Sequence, residues 1–168
     1  MALESRIVPP IDRIAVRQQV LDVIASLLED ALFIKDDPTP DPPKLFDSVK
    51  RGCNLDDITP SETPCAAVEE TNETVIPGMG YTQKQIRVFV NFKPVKQQGI
   101  DASALINYYF GRIEEVLVTD PHLSDTALSI DPVGNSIQSN GLSDPEPGGI
   151  FYFDVDFRHY QGQPFDQI

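Results

Sequence analysis

Residues 150–160 read IFYFDVDFRHY, and their alternation decides the architecture. Successive side chains of a strand point to opposite faces, so Phe151, Phe153, Val155 and Phe157 share one side and Tyr152, Asp154, Asp156 and Arg158 the other. One face asks to be buried and the other to meet solvent. Residues 85–92, QIRVFVNF, repeat the rule, with Ile86, Val88, Val90 and Phe92 opposed to Gln85, Arg87, Phe89 and Asn91. Two such strands need a cover for their apolar faces, and the chain contains two stretches with helical periodicity.

The first runs over residues 12–31, where Ile14, Val20, Leu21, Ile24, Leu27, Leu28 and Ala31 form a stripe at i, i+3, i+4, i+7 spacing. Pro9 and Pro10 precede it, Asp12 is the expected N-cap, and Pro38 lies beyond its end. The second covers residues 101–118, with Ile106, Phe110, Ile113 and Leu117 at helical spacing and Leu105, Tyr109 and Val116 beside them. Its apolar arc is wider than one sheet face requires. A second partner surface is expected there, either another element or another subunit, and Tyr109, Phe110 and Leu117 are its candidate interface residues.

Between these elements, residues 36–43 (DDPTPDPP) predict a stiff extended connector, since proline fixes φ and holds the preceding residue extended. Residues 44–51 and 65–69 predict short strands around a polar loop at 54–64. Gly78, Met79 and Gly80 mark a turn without the spacing of a phosphate loop. After Asp120 and Pro121 end the second helix, short strands are expected at 126–130 and 133–138, joined by a turn at Asp131 and Pro132. A loop rich in turn formers follows at 140–149. Helix, strands, helix and meander together predict an α+β fold, with an antiparallel or mixed sheet flanked by two main helices in a single domain.

The 168 residues are 40% hydrophobic and 23% charged, which suits a folded globular chain. Twenty-six acidic against 13 basic residues give a net charge of −13, which opposes direct binding to nucleic acid or an acidic membrane. The excess is uneven, because residues 97–168 hold 11 acids and only Arg112 and Arg158 as bases. No apolar run reaches the ~18 residues of a spanning helix, and the first ten residues lack a signal-peptide core, so an intracellular soluble protein is expected. Cys53 and Cys65 lack metal-ligand spacing and read as free thiols.

No catalytic, cofactor-binding or metal-binding residues are assigned. His122 reads as a solvated loop residue and His159 as an extension of an apolar strand face. Asp154 and Asp156 place two carboxylates on one strand face, and Asp36/Asp37 and Asp56/Asp57 lie outside any calcium-loop pattern.

The chain resembles the tail terminator proteins of long-tailed bacteriophages, the lambda-like group. The residues carrying the likeness are the helix 14–31, the strand QIRVFVNF at 85–92, and the helix 104–118 ending in Thr119, Asp120 and Pro121. The short strand at 128–131 and the closing strand FYFDVDFR at 151–158 complete it. The proline-rich segment 36–43 and the polar segment 54–64 have no counterpart in that pattern. The resemblance implies a non-enzymatic structural virion protein without cofactors, assembled in the host cytoplasm and located at the head-proximal end of the tail. It implies a hexameric ring that caps the tail tube, stops its polymerisation and joins it to a head connector or completion protein. DNA would pass through such a ring without specific binding, and no membrane is involved. Asp154 and Asp156 are candidate channel-lining residues. A head–tail connector or tail completion protein is the alternative within the virion, and a small α+β ligand-binding domain or enzyme the alternative from another class.

Overall fold

The computed structural model describes residues 15–35, 40–52, 64–95, 99–138 and 148–167. Two helices and six strands follow the order α1 (Val16–Asp30), β1 (Ser48–Arg51), β2 (Cys65–Pro77), β3 (Tyr81–Lys93), α2 (Ala102–Val118), β4 (Ser129–Gln138), β5 (Gly148–Tyr160) and β6 (Gln163–Gln167). The fold is α+β, as expected. The sheet order is β1-β2-β3-β5-β4 with β6 paired to β5, and the β1–β2 pair is parallel while the others are antiparallel, so the sheet is mixed.

The two strands that announced the fold are its centre. β3 pairs with β5 so that Ile86 faces Val155, Val88 faces Phe153 and Val90 faces Phe151, all buried on the helix side. His159 extends that buried row, and His122 is exposed in its loop, each as read from sequence. α1 buries Val20, Leu21, Ile24 and Leu28 of the expected stripe together with Val16 and Ala25. Ala31 is buried just past its end, Leu27 is only half-buried, and Ile14 lies outside the described residues. Its N-cap position is Ala15, with no side-chain cap; Asp12 lies outside the described residues. α2 begins where Asp101 accepts hydrogen bonds from the amides of Ser103 and Ala104, satisfying two of the donors a helix start leaves open.

Several expectations are corrected. β2 is 13 residues long rather than five, because its outer half pairs with β3 beyond the helix-covered core, where no hydrophobic alternation is needed. β4 is one strand rather than two: Asp131 and Pro132 sit inside it, and a bulge between Pro132 and Gly134 accommodates a proline on an edge strand. β1 takes up only residues 48–51 of the expected strand, and β6 was not foreseen. The wide arc of α2 is covered by the chain itself. Tyr109, Phe110 and Leu117 are exposed by only 2%, 4% and 0% in the single chain, so they are core residues and not a subunit interface.

The physical reason lies in residues 31–35 and 40–46, which are joined by an isolated bridge between Leu32 and Lys44. Phe33, Leu45 and Phe46 fold under α2, where Tyr109 stacks on Phe92 at 5.4 Å and meets Phe46 at 5.5 Å. Tyr109 also donates to the Leu45 carbonyl at 3.2 Å, and burial pushes its phenol far above the ordinary tyrosine range. Cys65 is buried at the start of β2, while Cys53, the polar loop 54–63, residues 36–39 of the connector and the loop at 139–147 lie outside the described residues.

Candidate functional site

The helices cover one face of the sheet, and among the described residues no element packs over the other. The open face carries Arg87 and Phe89 from β3, Tyr152, Asp154 and Asp156 from β5, and Asp131 from β4, at adjacent register positions. Asp154 accepts two hydrogen bonds from Arg87, Nε at 2.9 Å and a terminal nitrogen at 3.1 Å, a fork that fixes both side chains. The pair carries no net charge. Asp156, two positions along, has a buried Oδ1 with no hydrogen-bond partner among the described residues. Beside them Phe89 and Tyr152 meet edge to face at 5.2 Å, and Arg158 lies 4.7 Å over the ring of Tyr81. This is a mixed aromatic and ionic surface, and nothing in it activates a nucleophile.

Among the described residues no group of three or more His, Cys, Asp or Glu side chains is placed to hold a metal ion. His122 turns Nδ1 to the Leu128 carbonyl at 2.9 Å, and His159 turns Nδ1 to the Tyr160 carbonyl at 2.8 Å, so neither orients a partner acid or nucleophile. The acidic pairs Asp36/Asp37 and Asp56/Asp57 lie outside the described residues. Among the described residues no helix is long and apolar enough to cross a membrane.

The remaining features lie at the two ends of the molecule. At one end the β2–β3 hairpin runs beyond the helices and turns at Gly78, Met79 and Gly80, with Gly80 at φ +79°, a conformation that favours glycine. Val75, Ile76 and Met79 are exposed there, Met79 by 97%. At the other end, a groove of about 390 Å³ opens between the last turn of α1 and the second half of α2. Leu27, Ala31, Leu32, Ile34 and Val116 line it, with Asp30, Arg112 and Glu115 among its polar residues. Its wall is anchored: Tyr108 accepts from the Ile34 amide at 2.8 Å and donates to the Ile34 carbonyl at 2.5 Å, while Arg112 donates to the Leu32 carbonyl. Sequence reading marked the hairpin only as a turn. The available signal was residues 74–83, TVIPGMGYTQ, ten positions without a charge in a chain that is 23% charged.

A charged network fixes the hairpin to α1. Glu73 accepts from Arg17 at 3.1 Å and lies 2.7 Å from Lys84 Nζ, and Arg17 Nε lies 3.3 Å from Glu70. Burial alone would raise the Glu73 pKa, but the hydrogen bonds and charges of Lys84 and Arg17 outweigh it and hold the carboxyl below the ordinary glutamate value. A lowered folded-state pKa contributes stability above the unfolded value of ~4.3 and loses it as pH falls through the folded value. Glu73→Gln should therefore cost about 1 kcal/mol at neutral pH, with the difference from wild type closing as the pH drops below about 4. Urea unfolding of both proteins across pH 2–7 measures it.

No protein-family model matches the chain, and a search of curated proteins finds no match.

Proposed function

We propose that the protein is a structural subunit of a tailed-phage virion, similar to the tail terminators. Copies form a ring, taken as a hexamer, that caps the tail tube, stops its polymerisation and joins it to the head connector. The observation that supports this reading best is where the exposed apolar residues lie. Val75, Ile76 and Met79 at one end, Leu32 and Ile34 at the other, Val133 and Ile137 on the edge strand β4, and Val95, Ile100, Val118 and Tyr160 besides are spread over the surface rather than gathered around a closed cavity. The element order is the one on which the resemblance rests, and the charge agrees with the role: six copies at −13 carry −78, a field that keeps a passing polyanion from adhering. Within this proposal Asp154 and Asp156 line the channel. Arg87 neutralises Asp154, so Asp156 and Asp131 carry the charge of that face.

The test is to produce particles without this protein and image them in negative stain. Overlong tails without heads are the expected result, because an uncapped tube continues to polymerise. Tails of normal length joined to heads would overturn the proposal, and normal-length tails that fail to join would favour a head–tail connector instead.

A further inference from the structure

We infer that the uncharged tip of the β2–β3 hairpin of one copy seats in the groove between α1 and α2 of a second copy, joining copies head to tail. This rests on the reading of the chain as a self-assembling subunit and names the two surfaces that meet. The first argument is position. β2 runs antiparallel to α1: its start lies by the helix end, where Leu45 bonds to Ala31 and Asp47 to Pro64, and Glu73 lies by the helix start at Arg17. The strand then continues past the helix to the tip. Ten helical residues from Arg17 to Leu27 span about 15 Å, and the strand beyond Glu73 adds a similar length, so tip and groove stand on the order of 30 Å apart. A tip and a groove at opposite ends cannot meet within one chain, and between copies they make a heterologous contact, which closes into a ring or runs on as a filament.

The second argument is charge. Copies at −13 repel one another, and of the charged side chains lining the groove, Glu115 is paired with Arg112 while Asp30 adds an acid to the rim. Residues 74–93 contain no acid at all, only Lys84, Arg87 and Lys93. The hairpin is thus a surface that can approach an acidic copy, and Asp30 at the groove, without like-charge cost, and its tip offers apolar side chains to an apolar floor. The third is preorganisation, since the clasp of Tyr108 and Arg112 on residues 32–34 holds the groove wall before any contact forms. A ten-residue tip falls short of the ~20–30 residues a side of a stable interface. The contact is therefore brief between free copies and persistent only where a template sets them side by side.

The experiment installs the photo-crosslinker benzoylphenylalanine in place of Met79 in the full chain and irradiates it at high protein concentration. Crosslinks to residues 27–34 or 112–119 of a second copy are expected. Ile34→Asp in the acceptor copy should lower their yield about tenfold, and Val75→Lys in the donor should restore it by pairing opposite charges. Leu32→Glu is an independent acceptor variant, with circular dichroism confirming that each folds. Crosslinks from tip to tip, crosslinks to another surface, or none at millimolar concentration would overturn the contact. Rings in electron micrographs with crosslinks outside the groove would overturn it while leaving the self-assembly reading intact. Absence of both crosslinks and rings, with tail tube present as the template, would remove both.

Discussion

Phe153→Asp is expected to leave the protein largely unfolded at 25 °C. Phe153 is fully buried at the middle of β5, stacked on Phe151 at 4.4 Å and flanked in register by Val88 and Pro132. Removing an aromatic side chain from such a core costs ~3–5 kcal/mol, and a carboxylate there must either stay charged without a partner or take up a proton, which adds further cost. The sum approaches the ~5–15 kcal/mol that holds a domain of this kind together. Val155→Asp, from the same row, should behave alike. Asp154→Asn and Asp156→Asn, on the open face between them, should each stay within about 1 kcal/mol of wild type. Urea unfolding followed by circular dichroism separates the two sets, and a reversed ranking would shift the strand register by one residue.

The second large effect is expected at Gly149, where β5 passes beneath the aromatic cluster. A Cβ at this position would lie 2.6 Å from Phe92 Cζ and 2.8 Å from Phe110 Cζ. Neither ring has room to withdraw: Phe92 is stacked on Tyr109 and set edge to face against Phe110, which in turn meets Phe151 at 5.7 Å. Gly149→Ala should cost ~1–3 kcal/mol through overpacking, and Gly149→Val more. The control is Gly111, in the middle of α2 with nothing near its missing Cβ. Gly111→Ala should stabilise the protein by ~0.5–1 kcal/mol, since alanine restricts the unfolded chain and favours the helix. Thermal unfolding of the three variants reads both signs in one series.

The central strands were legible because each is half buried, so that burial writes a period of two into residues 85–92 and 150–160. The helices were legible for the same reason at a period of 3.6, whereas the cap at Asp101 was not read as one. The outer half of β2 was not legible. Thr71 and Asn72 fall in a register shift and Glu73 to Pro77 pair with β3 outside the helix-covered core, so this part of the strand leaves no hydrophobic alternation. β4 was split at Asp131 and Pro132, since a proline that ends a central strand is tolerated on an edge. The misassignment of Tyr109, Phe110 and Leu117 has a different origin. Tyr109 is covered by Phe33, Leu45 and Phe46 from a segment with no periodicity, and Phe110 meets Phe92 and Phe151 of the sheet. Sequence alone gives no sign of where such a segment folds back. The candidate contact surfaces were legible in half: the uncharged run at 74–83 is visible in sequence, whereas the groove is assembled from α1, α2 and residues 31–34 and exists only once the chain is folded.

The seam between β3 and β5 also governs how the chain reaches this state. Arg87 and Asp154, paired across it, are 67 residues apart, whereas β2 and β3 are joined by a three-residue turn. Local pairing precedes distant pairing because closing a long loop costs more entropy before any contact repays it. During that interval the β2–β3 hairpin exposes a bare edge lined by Ile86, Val88, Val90 and Phe92, the kind of edge on which identical chains pair with one another. Aggregation during synthesis should thus depend on protein concentration and on how fast β5 arrives, so slow, cool expression should raise the soluble yield even though the finished fold is unchanged.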